Sequence, residues 1–173
     1  MSPQDHSRRS FVRKAVGASS LGIGLAIGSQ SVAANGRKIK VTGDADGGNY
    51  DIGIKNGSDI SGSVDDGETN SHSFSGTIEQ LRLDGPMDVN ADAGDDIPVG
   101  DVVVSGTGSG YSFAADEYVS GQDDLESTDG DASRSGYGVI NSYNDTDTFR
   151  VHGHIIQAHN RDDGTVLITY ELP

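Results

Sequence analysis

Phe149-Arg150-Val151-His152-Gly153-His154-Ile155 alternates apolar and polar residues, and this alternation decides how the chain is read. Successive side chains of a strand point to opposite faces, so Phe149, Val151, Gly153 and Ile155 would face inward. The same period of two recurs at Ile39 and Val41, Tyr50-x-Ile52-x-Ile54, Phe74-x-Gly76-x-Ile78, and Leu81-x-Leu83. It returns at Tyr111-x-Phe113-x-Ala115 and Val166-x-Ile168-x-Tyr170. Beyond the first 34 residues, no stretch places apolar residues at i, i+3, i+4 and i+7, so no amphipathic helix is expected. Between the alternating runs stand turn formers: Asp46-Gly47-Gly48-Asn49, Asp66-Gly67, Asp84-Gly85-Pro86, Asp129-Gly130 and Asp163-Gly164. Short half-buried strands with Gly/Asp turns predict an all-β chain, an antiparallel β-sandwich.

The strands come in two copies. Lys40-Val41-Thr42-Gly43 followed by Tyr50-Asp51-Ile52 returns as Val103-Val104-Ser105-Gly106 followed by Tyr111-Ser112-Phe113. Ser73-Phe74-Ser75-Gly76-Thr77-Ile78 returns as Arg150-Val151-His152-Gly153-His154-Ile155. The Asp84-Gly85 turn, with Met87 and Val89 after it, returns as Asp163-Gly164 with Val166 and Ile168. The offset widens along the chain, so the second copy carries extra residues, expected within 120 to 147. The division is 1–34 for a leader, 35–100 for the first copy and 101–173 for the second. A unit of roughly 65 residues buries too little surface to stand well alone, so the copies should pack together.

Residues 1–34 read as a targeting segment. Ser7-Arg8-Arg9-Ser10-Phe11-Val12-Arg13-Lys14 resembles the twin-arginine export motif, with Arg8, Arg9 and Phe11 as its signal residues. A weakly apolar stretch, Ala15 to Ile27, follows; it is too short for a permanent membrane span. Ser31-Val32-Ala33-Ala34 offers small residues to a peptidase. The expected destination is extracellular or the cell surface, with the twin-arginine machinery as partner and no stable membrane insertion.

The 173 residues carry 12 Lys and Arg against 27 Asp and Glu, a net charge of −15. Without the leader the imbalance deepens to 26 acids against 8 bases. Such acidity argues against nucleic acid, whose phosphates need a positive surface. It also opposes compaction through self-repulsion, unless salt screens it. In molar salt the screening length falls to about 3 Å, and excluded salts strengthen apolar burial. The composition therefore suits a hypersaline medium. There is no Cys, so disulfides, thiol nucleophiles and thiolate metal sites are excluded.

Three segments of the second copy carry a family resemblance: Asp124-Leu125-Glu126-Ser127-Thr128-Asp129-Gly130-Asp131, Gly136-Tyr137-Gly138-Val139-Ile140, and residues 145–155. With strands ending in Thr/Ser-Gly and the Tyr-x-Ile/Phe strands, this pattern resembles Gly/Asp-rich β-modules of secreted haloarchaeal proteins. Those modules are often appended to polysaccharide-degrading enzymes or stand alone behind twin-arginine leaders. The resemblance implies a small β-sandwich accessory module and brings no catalytic residues. His152-Gly153-His154 departs from it, because such modules have Ser-Gly there.

Candidate sites follow from residue chemistry. Tyr118, Tyr137 and Tyr143 stand among Ser, Gly and Asn, where exposed rings could stack on sugars of a polysaccharide or cell envelope. The same rings could instead fill a tyrosine-poor core. His152 and His154, two apart on a strand, are expected on one face and could bind Zn²⁺ or Cu²⁺, with His159, Asp145 or Asp147 adding ligands. An ordinary surface histidine pair is the plain alternative. Asp44-Ala45-Asp46-Gly47-Gly48-Asn49-Tyr50-Asp51 begins like a calcium loop, but Lys55 stands where a closing Glu would be. Asn90-Ala91-Asp92-Ala93-Gly94-Asp95-Asp96, the Asn144–Asp147 turn, Asp129 and Asp131 could also offer oxygens to Ca²⁺. Asn56-Gly57-Ser58 and Asn144-Asp145-Thr146 match the glycosylation sequon at Asn56 and Asn144. No Gly-x-Ser-x-Gly nucleophile turn and no distinctive carboxylate pair occurs, so a non-catalytic, structural or adhesive module is expected. A divalent-metal-binding module is the rival.

Overall fold

A computed structural model describes residues 36–122, 125, 129–142 and 145–173. The leader with Arg8, Arg9 and Phe11, and the sites at Tyr143 and Asn144, lie outside the described residues. Among the described residues no helix is long and apolar enough to cross a membrane.

The first copy contributes β1 (Arg37–Gly43), β2 (Gly48–Lys55), β3 (Ile60–Val64), β4 (Thr69–Phe74), β5 (Thr77–Asp84) and β6 (Met87–Ala91). The second contributes β7 (Val99–Thr107), β8 (Ser109–Ala115), β9 (Tyr118–Gly121), β10 (Gly130–Ala132), β11 (Ser135–Ile140), β12 (Thr146–His152), β13 (Ile155–Asn160) and β14 (Thr165–Glu171). They form two seven-stranded antiparallel sheets, in the orders β10-β11-β8-β13-β6-β1-β4 and β3-β2-β5-β14-β7-β12-β9. The chain is an all-β sandwich of a repeated short-strand unit.

The repeat seen in the sequence is a repeat of pairing. In the first copy β1 pairs with β4 and β6, while β2 pairs with β3 and β5. In the second, β7 pairs with β12 and β14, while β8 pairs with β11 and β13. Each strand of one copy lies in the opposite sheet to its counterpart, so each sheet takes three strands from the first copy and four from the second. The extra length of the second copy is residues 116–134, holding β9 and β10, where the first copy has only 56–59 between β2 and β3. It begins slightly earlier than the sequence offset indicated.

The copies are joined by two equivalent strand pairs, β5 with β14 and β6 with β13. A single copy would leave β5 and β6 as open edges with unpaired backbone donors and acceptors. Joining the copies covers both edges and merges two small cores into one. Leu81, Leu83, Val104, Phe149, Val166 and Ile168 have no exposed surface. Phe149 meets Phe113 and Tyr111 edge-on, with ring centroids 5.1 and 6.4 Å apart. Asn160 stands in this core at the position Leu83 holds in the first copy. Its Nδ2 donates to the carbonyls of Leu83 (3.0 Å) and Gly164 (2.8 Å), and its Oδ1 accepts from Ser109 Oγ. A buried amide is tolerable because every polar atom has a partner.

Two glycines turn the chain from one sheet into the other. Gly76, between β4 and β5, has φ +99°, and Gly153, between β12 and β13, has φ +100°. A Cβ on Gly153 would lie 2.1 Å from Asp116 Oδ1, and one on Gly76 would lie 2.1 Å from the Lys55 carbonyl oxygen. Both conformation and crowding demand glycine. The inward positions expected from the alternation, Phe149, Val151, Gly153 and Ile155, are all buried.

Candidate functional site

The turn at Gly153 overturns the expectation that His152 and His154 share a face. The alternation ends at His152, the last residue of β12, because the chain there leaves its sheet. His152 is exposed, its ring edge-on to Tyr118 at 6.1 Å. His154 is buried and engaged at both ring nitrogens. Arg37 Nη1 donates to Nδ1 at 3.2 Å, and since a guanidinium only donates, Nε2–H is left to donate to Asp96 Oδ1 at 3.1 Å. His154 N–H donates to Asp116 Oδ1 at 2.6 Å. His154 therefore fastens the first strand, the linker before β7 and the turn after β8, with no lone pair left for a metal. His159 lies in the other sheet, on β13, and pairs with Asp88. Among the described residues no group of three or more His, Asp or Glu side chains is placed to hold a metal ion.

The remaining candidates are scattered. Asp145 Oδ2 accepts the Asn141 N–H at 2.9 Å, whereas Asp147 points into the core. In the calcium-like loop, Asp44 turns back on its own segment: its Oδ1 accepts Ala45 N–H and its carbonyl accepts Gly47 N–H. Asn56 is exposed in a turn closed by Gly57 N–H donating to the Ile54 carbonyl (3.2 Å), with φ +61°.

Of the tyrosines, Tyr118 and Tyr137 are exposed, at 50% and 43%. They share no platform: Tyr118 is on β9, at the edge of one sheet, and Tyr137 is on β11 of the other. Tyr137 is forced outward by its neighbours. Gly136 and Gly138 take the inward positions, where Phe113 and Phe149 crowd the space a Gly136 Cβ would need.

Tyr137 borders a trough of about 530 Å³ along the outer face of its sheet. The trough crosses four adjacent strands: Asp88 and Asn90 on β6, Gln157 and His159 on β13, Ser112 and Ala114 on β8, Ser135 and Tyr137 on β11. Register places Gln157 opposite Asn90, with Nε2 donating to Asn90 Oδ1 at 3.2 Å, and His159 opposite Asp88, with its Nδ1 bonded to Asp88 Oδ1. Arg161 also lines it. The result is a shallow bed of amide, hydroxyl, imidazole and carboxylate groups beside one aromatic ring. Such a bed can hydrogen-bond several hydroxyls while a sugar lies on the ring.

Asp88 and Gln157 were not singled out by the sequence, and Asn90 only as a calcium oxygen. Their outward register on β6 and β13 follows from the alternation, but their adjacency arises only because strands of different copies pair. The chain matches no family model, no curated protein and no solved structure.

Proposed function

We propose that this is an exported, non-catalytic β-module of the cell surface or its surroundings, binding polysaccharide along the outer trough of the β11-β8-β13-β6 face. The observation that carries the reading is the exposed Tyr137 ring beside a continuous row of outward hydrogen-bonding side chains. Export rests on Arg8, Arg9 and Phe11 and on the small residues at 31–34. The structural or adhesive role fits a chain whose sheets expose broad polar faces.

The test is retention of the protein on insoluble polysaccharides in molar NaCl. Tyr137→Ala should abolish retention on the polysaccharide bound, and Tyr118→Ala, on the other sheet, should leave it intact. Undiminished retention of the Tyr137 variant would rule out this face. Replacing Arg8 and Arg9 together by Lys should keep the protein inside the cell.

A further inference from the structure

Among the described residues one buried side-chain oxygen has no hydrogen-bond donor: Oδ1 of Asp147. Asp147 occupies an inward position of β12, in line with Phe149 and Val151, and has no exposed surface. Its Oδ2 accepts the Tyr111 hydroxyl at 2.5 Å. Among the described residues Asp129, a second acidic side chain, is within hydrogen-bonding reach, and its Oδ1 accepts the Val139 N–H at 3.0 Å. The groups converge over Gly138, where a Cβ would lie 2.4 Å from Asp129 Oδ1 and 2.8 Å from the Tyr111 oxygen. Asp145 adds a third negative charge nearby, and no Lys, Arg or His among the described residues acts on Asp147.

Burial, and then the charges of Asp129 and Asp145, push the Asp147 carboxyl up to about 6 against the opposing Tyr111 hydrogen bond. A sealed carboxyl beside a second acidic side chain, with one oxygen lacking a donor among the described residues, is a place where a cation would be stabilised.

We propose that a calcium-class cation binds between Asp147 and Asp129 beside the Tyr111 hydroxyl, tying the inserted β9–β10 segment to the core of the second copy. All the donors are hard oxygens, which excludes the soft and nitrogen-seeking metals expected at a histidine pair. Ca²⁺ accepts six to eight oxygens in irregular geometry, and water completes its shell, whereas Mg²⁺ demands a near-ideal octahedron. Two carboxylates make a weak site, in the range of about 10⁻⁴–10⁻³ M found in extracellular modules. This proposal is independent of the polysaccharide reading.

The site carries its own reporter. The chain has six Tyr and no Trp, and Tyr111 touches the proposed ligand, so Tb³⁺ bound there should luminesce on tyrosine excitation. With the full chain at neutral pH, Tb³⁺ emission should appear and be displaced by Ca²⁺. Ca²⁺ should raise the melting temperature by several degrees, and EDTA should reverse the rise. Asp147→Asn should abolish both responses; Asp129→Asn, at a less buried position, should do the same should the first variant fail to fold. Emission surviving both substitutions would mean adventitious binding to the acidic surface, and the proposal falls. It falls equally with a melting temperature indifferent to Ca²⁺ and EDTA while Asp147→Asn is stabilised, since the two carboxyls then share a proton.

Discussion

Leu81 of the first copy lies directly opposite Ile168 of the second, both fully buried, and across the other sheet Ala158 of the second copy lies opposite Val89 of the first. The two contacts are equivalents in a sandwich whose halves exchange sheets. Separating the copies would therefore break both sheets between their third and fourth strands from the first copy's edge. Leu81→Ala should cost about 2–5 kcal/mol, as for other buried leucines. Denaturant unfolding should remain one cooperative transition in wild type and variant alike, and residues 36–98 expressed alone should give no sigmoidal melt. Two separable transitions would show that the copies are independent.

The sheet-switching glycines yield a paired prediction. Gly153→Ala and Gly76→Ala each force a side chain into φ near +100° and into contact with an oxygen 2.1 Å away. Each should destabilise the fold by about 1–3 kcal/mol or more. Gly67, with φ +69° but nothing within 4 Å of its Cβ position, should tolerate alanine better. Thermal melts of the three variants would rank them.

Asn160 should be sensitive to chemistry more than to size. Asn160→Asp keeps the shape but loses the two donors to the Leu83 and Gly164 carbonyls and buries a charge. It should cost more than Asn160→Ala, for which about 1–3 kcal/mol is expected from the unpaired groups left behind. A reversed order in denaturant midpoints would refute the hub role of this amide.

Asp84 gives the acid limb of stability. Burial alone would raise its pKa, but the hydrogen bonds from Arg82 Nε (3.0 Å) and Thr165 Oγ1 (2.7 Å), with the Arg82 charge, outweigh it and hold the carboxyl below its ordinary value. A depressed folded pKa means stability is present above the unfolded value near 3.8 and is lost as pH falls through the folded one. Asp84→Asn should thus be less stable than wild type at pH 7, with the gap closing as pH falls below 3.8. A gap constant with pH would contradict the assignment.

The charge excess predicts salt dependence. Dilution from molar NaCl should weaken or melt the sheets as acidic repulsion becomes unscreened, and restoring NaCl should return them. Circular dichroism on the full chain, stepped in NaCl, would follow it. A spectrum and melting point that stay constant throughout would dissociate the acidic composition from a saline habitat.

Reading residues in order was enough to establish strands, their inward faces and their duplication, because alternation is a property of neighbours along the chain. Phe149 and Val151 face the core as their spacing requires, and Asp147, two residues earlier, shares that register. The failure at His152 and His154 has a local cause: Gly153 at positive φ ends the alternation between them. Only the tertiary structure decided that Gln157 meets Asn90 and that Tyr111, Asp129 and Asp147 converge. Those residues are brought together by strand pairing and chain turns between distant segments, and hydrogen bonding between strands carries no trace in the periodicity of either.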